Sequence, residues 1–253
     1  MNTYTIKPLI LSTRKAEMGS MTYLAYSGRP IMRPWLMWYI KAGNKNVLVD
    51  SCIDTDDITK HHPGLRIFPQ EAVRTFEEAL KLVGCSPDDI DIIIQTHLHF
   101  DHVYNTGKCK NAEVFVQKKE LEFALHPHSI FEICCPTELI RKIDFKIIEG
   151  DRTILPGISV IFTPGHSPGG QSVVVETSKG KAVITGFCCI KENFDVPEDA
   201  RTTISPFISY PVIAPTPHTD LFDSYESVLR VKNIADIIIP SHDPDMAAQR
   251  EIP

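Results

Sequence analysis

Residues 96–102 read Thr-His-Leu-His-Phe-Asp-His, and the largely apolar run Ile90–Ile94 leads directly into them. A short isoleucine-rich run predicts a buried strand. Four polar side chains, His97, His99, Asp101 and His102, then fall on the loop that leaves it. Alternation turns side chains two apart to one side of an extended chain, which aligns the imidazoles of His97 and His99. Imidazole nitrogen and carboxylate oxygen suit zinc, with iron or manganese as alternatives. A soluble domain has little structural use for three histidines and an aspartate within six consecutive positions. The pattern points to a metal site.

The chain has 253 residues, enough for one large domain or two small ones, and no linker separates it into halves. Its 43% apolar and 23% charged residues are an ordinary globular balance. Net charge is -6, and the compact basic clusters are only Lys118-Lys119 and Arg141-Lys142. That excludes the basic stripe a nucleic-acid binder needs. No apolar run approaches the roughly 20 residues of a membrane span, and Met1–Lys15 lacks a signal peptide's apolar stretch. Seven cysteines, with Cys134-Cys135 and Cys188-Cys189 adjacent, suit reduced thiols in a cytoplasm better than a disulfide framework.

Strands are expected at Tyr4–Leu11, Trp35–Ile40 and Val47–Asp50, the last two joined by a Gly43-Asn44 turn. Val73, Phe76, Leu80 and Val83 recur at helical spacing and predict a helix over Glu71–Val83, stopped by Gly84. Beyond the metal loop, a strand at Glu113–Val116 and a helix at about Gln117–Leu125 are expected, then a short helix at Glu138–Ile143. Lys146–Ile148, Ile158–Phe162, Ser172–Glu176 and Lys181–Thr185 read as successive strands. The proline-rich stretch Pro197–Pro217 is long for a connection and suggests a wall or lid. A last helix carries Leu221, Tyr225, Val228 and Leu229, and a last strand Ile237–Ile239. Strands with helices at intervals imply a sheet pair covered by helices, an α/β (α+β) architecture.

Two further histidines repeat the first context. His166 lies in Thr163-Pro-Gly-His-Ser-Pro-Gly-Gly170 after one predicted strand, and His242 in Pro240-Ser-His-Asp243 after another. Loops at strand ends hold ligands on rigid supports and leave one side open to substrate.

With these residues in place the sequence resembles the metallo-β-lactamase superfamily, and within it the N-acyl-homoserine lactonases. The first motif matches His-x-His-x-Asp-His. Lys146–Asp151, Ile161–Ser172, Lys191-Glu-Asn-Phe194 and Ser241-His-Asp243 are similar to lactonase stretches. The resemblance runs from about Val47 onward. It implies one αββα sandwich domain over 1–253, two mixed sheets flanked by helices, with one or two zinc ions at the sheet edges. It implies that His97, His99 and His166 hold one metal, and Asp101, His102 and His242 the other. A metal-activated hydroxide would open a small ester or lactone, with Asp101 as the catalytic proton acceptor or relay. Asp50 would orient a ligand. Such proteins often dimerise, which leaves a homodimer open.

The sequence also departs from that family. Lactonases carry a metal-bridging aspartate where this chain has Gly186 or Phe187, depending on the register chosen. Cys188, three residues before Lys191, stands like the cysteine ligand of true metallo-β-lactamases and is either a ligand or a packing residue. The lactonase tyrosine falls on Cys189, with Tyr104 and Tyr210 as conceivable substitutes. Thioester or β-lactam hydrolysis and a non-catalytic metal-binding role therefore remain alternatives. His61-His62 read as a solvated loop, His126 and His128 as surface residues, His218 as lying near a helix N-cap, and Asp243 as a cap or ligand-orienting residue.

Overall fold

The computed structural model describes residues 2–61, 70–196 and 210–253. The first sheet contains β1 (Ile6–Glu17), β2 (Pro30–Ala42), β3 (Lys45–Val49), β4 (Gln70–Ala72), β5 (Ile92–Ile94), β6 (Glu113–Gln117) and β7 (Phe145–Ile148), in the order β4-β1-β2-β3-β5-β6-β7. Its β4 to β3 half is antiparallel and its β3 to β7 half parallel. The second sheet contains β8 (Arg152–Leu155), β9 (Ile158–Phe162), β10 (Gln171–Thr177), β11 (Gly180–Ile184) and β12 (Ile237–Ile239), in the order β12-β11-β10-β9-β8. Only its β11/β12 pair is parallel. The helices are α1 (Thr55–His61), α2 (Phe76–Lys81), α3 (Phe100–Val103), α4 (Lys118–Leu125), α5 (Thr137–Ile140), α6 (Leu221–Ile234) and α7 (Pro244–Ala247).

Strand alternation creates the layers. Val47 and Val49 of β3 join Val173 and Val175 of β10 in one core between the sheets, with Trp38, Ile92, Ile94, Val160 and Ile184. Leu48 and Ile93 point the other way and pack with Ile58, Phe76 and Leu80 of α1 and α2. Val174 and Val183 likewise face Val228 and Val231 of α6. The result is the expected order of helices, sheet, sheet, helices.

Most predicted elements are present with shifted ends. The Gly43-Asn44 turn joins β2 to β3, with Ala42 opposite Lys45 and Gly43 at φ 63°. The expected helix over Glu71–Val83 is a correction. Residues 70–72 pair with Ser12–Arg14 as β4, and the helix starts only at Phe76. Thr75 caps it through a reciprocal pair with Glu78, so local capping and edge pairing override the apolar spacing at Val73. Strand β8 was not expected from the sequence; two of its four residues are half-buried and it lies at a sheet edge. Of the proline-rich stretch, residues 197–209 lie outside the described residues.

Candidate metal centre

The ligand-bearing turns leave the ends of strands in both sheets. β5 runs through Gln95 and Thr96 to His97, and His99 is the N-cap residue of α3, whose first turn carries Asp101 and His102. β9 leads to His166, and β12 to His242. All six side chains are buried. They form two groups, His97–His99–His166 and Asp101–His102–His242, and within each group the ligand atoms lie within 4.8 Å of one another. The rings of His97, His99 and His166 form a near-equilateral triangle with centroids 4.6, 4.8 and 4.7 Å apart. His102 bridges the groups, its ring 4.0 Å from His97 and 5.4 Å from His242. The convergence expected from sequence is therefore present, from positions 97 to 242.

A set of hydrogen bonds fixes which nitrogen faces the cleft. The Pro217 carbonyl accepts from His166 Nδ1 at 2.5 Å, and the Pro34 carbonyl from His242 Nδ1 at 3.0 Å. Asp50 accepts from His102 Nδ1 at 2.7 Å, from Thr96 N–H at 2.8 Å and from the Thr96 hydroxyl at 2.8 Å. That leaves the Thr96 oxygen, 3.0 Å away, to accept from His97 Nδ1. Asp50 thus has the ligand-orienting place that the resemblance implies. In these four rings the Nδ1–H is taken, so Nε2 carries the free lone pair. His97 Nε2 and His99 Nε2 are buried with no hydrogen-bond partner among the described residues. Orphaned buried nitrogens of this kind need an explanation, and a cation supplies one.

Electrostatics keep most of these imidazoles neutral. Burial pushes His97, His99 and His242 well below the usual histidine range, with neighbouring histidines or Arg33 adding to it. Burial also lowers His166, to about 4. Burial would lower His102 too, but Asp50 and Asp101 outweigh it and raise it. Burial would raise Asp101, yet His102, Arg33 and His242 hold its carboxyl well below the usual carboxylate range. Neutral imidazoles beside an ionised carboxylate are the protonation states a divalent metal binds.

Sequence reasoning missed three residues. Arg33, on β2, places Nη2 3.2 Å from Asp101 Oδ2 and 3.0 Å from His242 Nε2. Arg14 sits directly opposite it across the β1/β2 pair, and both line the cleft. Glu120, in the first turn of α4, is buried and accepts from Leu98 N–H at 2.8 Å and Gly169 N–H at 3.1 Å. One carboxylate thereby ties the His97–His99 turn to the His166 turn. A Cβ on Gly169 would lie 2.0 Å from the Glu120 backbone nitrogen, which admits only glycine there.

The strand end after β11 supplies no carboxylate. A Cβ on Gly186 would lie 1.7 Å from the Gln171 carbonyl oxygen, so no side chain fits. Phe187 is buried against Phe194 in the core under α6. Cys188 lines the cleft but belongs to neither ligand group, and burial pushes its thiol up. Cys189 is buried in the α6 core with its sulfur 3.1 Å from the Thr185 hydroxyl, and burial raises it to about 12. Neither Tyr104 nor Tyr210 is among the residues lining the cleft. The cleft, of about 260 Å³, is walled by Trp35, Phe100, Ile133 and Pro217 around the ligands.

Among the described residues no other histidine joins either ligand group. His128 accepts from Ile130 N–H, and His218 Nδ1 lies 2.9 Å from the Pro215 carbonyl, two residues before the true N-cap Asp220. His61 closes α1, and His62 lies outside the described residues. Asp243 caps α7 and accepts from Lys191 N–H at 2.8 Å, which is a structural role.

Residues 35–242 match the metallo-beta-lactamase superfamily. An N-acyl homoserine lactonase of Bacillus thuringiensis is 42% identical over 118 residues, 46% of each chain. An N-acyl homoserine lactonase of Rhizobium radiobacter is 26% identical over 188 residues, 66% of this chain and 64% of that one. The chain thus aligns with about half of the length of the Bacillus relative. Among solved structures, an N-acyl homoserine lactone hydrolase with N-hexanoyl-L-homoserine at its catalytic metal centre superposes with a TM-score of 0.73 at 27% identity, over 98% of this chain and 96% of that one. With strand-end histidines, two stacked mixed sheets and a family match over most of its length, this chain belongs to the metallo-beta-lactamase superfamily.

Proposed function

We propose that residues 1–253 form a single hydrolase domain that opens a small lactone or ester, with His97, His99 and His166 holding a zinc ion and Asp101, His102 and His242 forming the adjoining half of the site. Iron and manganese are the alternative metals, and the cytoplasm the proposed location. The observation that carries this reading is the pair of buried, unpartnered nitrogens, His97 Nε2 and His99 Nε2, grouped with His166 at the cleft. A divalent metal there supplies Lewis acidity and brings the pKa of water at the site down to about 7.

The chain's own groups do the rest. Asp101, ionised across the neutral range, accepts a hydrogen bond from the attacking water and orients it. Burial of His97, His99 and His166 keeps these imidazoles neutral down to acidic pH. Trp35 and Phe100, packed edge to face at 5.8 Å, together with Ile133, give an apolar wall suited to an acyl chain. That wall, with the lactonase relatives, favours N-acyl lactones over β-lactams or thioesters. Among the described residues no helix is long and apolar enough to cross a membrane.

The test is zinc-loaded protein assayed for ring opening on N-acyl homoserine lactones of graded chain length, beside simple lactones, esters, thioesters and a β-lactam. Turnover of acyl lactones, lost on chelation and restored by zinc, is expected. Protein that holds metal yet turns over nothing in the panel overturns the reading.

A further inference from the structure

We propose that Arg33 occupies the place of a second metal, so that this chain works with one metal at His97, His99 and His166 beside a fixed guanidinium. The proposal rests on the hydrolase reading only in taking those three histidines as the metal's ligands.

The two halves of the cleft differ in what their lone pairs face. Two of the Nε2 atoms in the first half are orphaned. In the second half, the Arg33 guanidinium contacts both His242 Nε2 and the Asp101 carboxylate through one nitrogen. His242 already donates its Nδ1–H to Pro34, so its Nε2 can only accept, and Arg33 is the donor it accepts from. A metal ligated by His242 would need that same lone pair. The adjacent residues Arg33 and Pro34 therefore grip both sides of one imidazole, and the register of β2 against β1 holds them in place.

The charge balance points the same way. Arg33 and Arg14 face each other across a strand pair, and Asp101 is the only carboxylate among the residues lining the cleft. Gly186 has no room for a side chain, Phe187 is in the core, and Cys188 joins neither ligand group. A second divalent ion would meet a guanidinium, which stays charged at any ordinary pH, and the further carboxylate nearby, Asp50, lies behind His102 and is already engaged by its Nδ1 and by Thr96. Arg33 also keeps its Nε–H, buried and without a partner among the described residues. That donor is free for a carbonyl oxygen on which negative charge develops.

Metal content tests this without reference to turnover. Wild-type protein, Arg33→Ala, Arg33→Lys and His97→Ala are loaded with excess zinc, desalted and analysed by inductively coupled plasma mass spectrometry. Cobalt(II) absorption spectra report the ligand field in parallel. One equivalent is expected for the wild type and for Arg33→Lys, two for Arg33→Ala, and none for His97→Ala. Two equivalents in the wild type overturn the proposal and leave the hydrolase reading standing, whereas none sinks both. A single equivalent retained by Arg33→Ala overturns the assignment to Arg33. So does an equivalent that survives His97→Ala but is lost in Asp101→Asn.

Discussion

The cleft has two halves built from the same kinds of side chain on the same kind of strand-end turn, yet they are finished differently. At His97 and His166 the protein supplies a partner for Nδ1, and the three imidazoles, with His99, converge on one point of the cleft. At Asp101, His102 and His242 it brings in a cation of its own from a distant strand. Ligand type separates the two only by one carboxylate. What lies against each Nε2 separates them further, and that is a property of the packing around the turn.

The comparison breaks most severely if the first half is not the metal's. His99→Ala, or exhaustive chelation of the wild type, should reduce lactone opening to background while the fold persists, as read by circular dichroism. Glu120→Ala should cost about 2–4 kcal/mol in denaturant unfolding, because two buried N–H groups lose their acceptor. It should also weaken zinc binding, since both turns of the first half hang on that carboxylate.

Asp50→Asn is expected to reach both halves, because Asp50 orients His102 directly and His97 through Thr96. Metal affinity should fall by about 10- to 100-fold, measured by competition with a chromophoric chelator. The second half has an acid signature of its own. Because Arg33 and the histidines hold the Asp101 carboxyl below its usual range, it stabilises the native state above about pH 4, and that contribution is lost as pH drops further. Metal-free Asp101→Asn should therefore lose less stability than the wild type between about pH 4 and 2. The smallest effect belongs to Cys188. Alanine there should leave the zinc equivalent unchanged and cost about 1 kcal/mol, as for a small buried apolar group.

The layered fold and the six side chains that converge on the cleft were legible because each leaves a local trace. A short apolar run announces a strand, and a histidine at its end repeated in three places is what marked the site. Arg33 leaves none, since an arginine in a strand reads as a solvated residue. Its role depends on the β1/β2 register and on which face of β2 meets the cleft. Glu120 was invisible for a similar reason: a glutamate in a helix's first turn looks like a favourable end charge. Only its distant glycine partner Gly169, in a turn already picked out by its glycines, hinted at close contact. The misread helix at Glu71–Val83 shows the opposite failure, where apolar spacing was present but Thr75 and an edge strand decided the boundary.

The His166 turn is seated on a part of the polypeptide made much later. Gly165 approaches Ser224 so closely that a Cβ would come within 2.1 Å of its backbone nitrogen, and its carbonyl accepts from Thr219, while Pro164 accepts from the Ser227 hydroxyl. The contacts that seat this turn therefore come from the residues entering and forming α6, far along the polypeptide. A shortened polypeptide lacking α6 would keep His97 and His99 but lose the contacts that seat the third histidine.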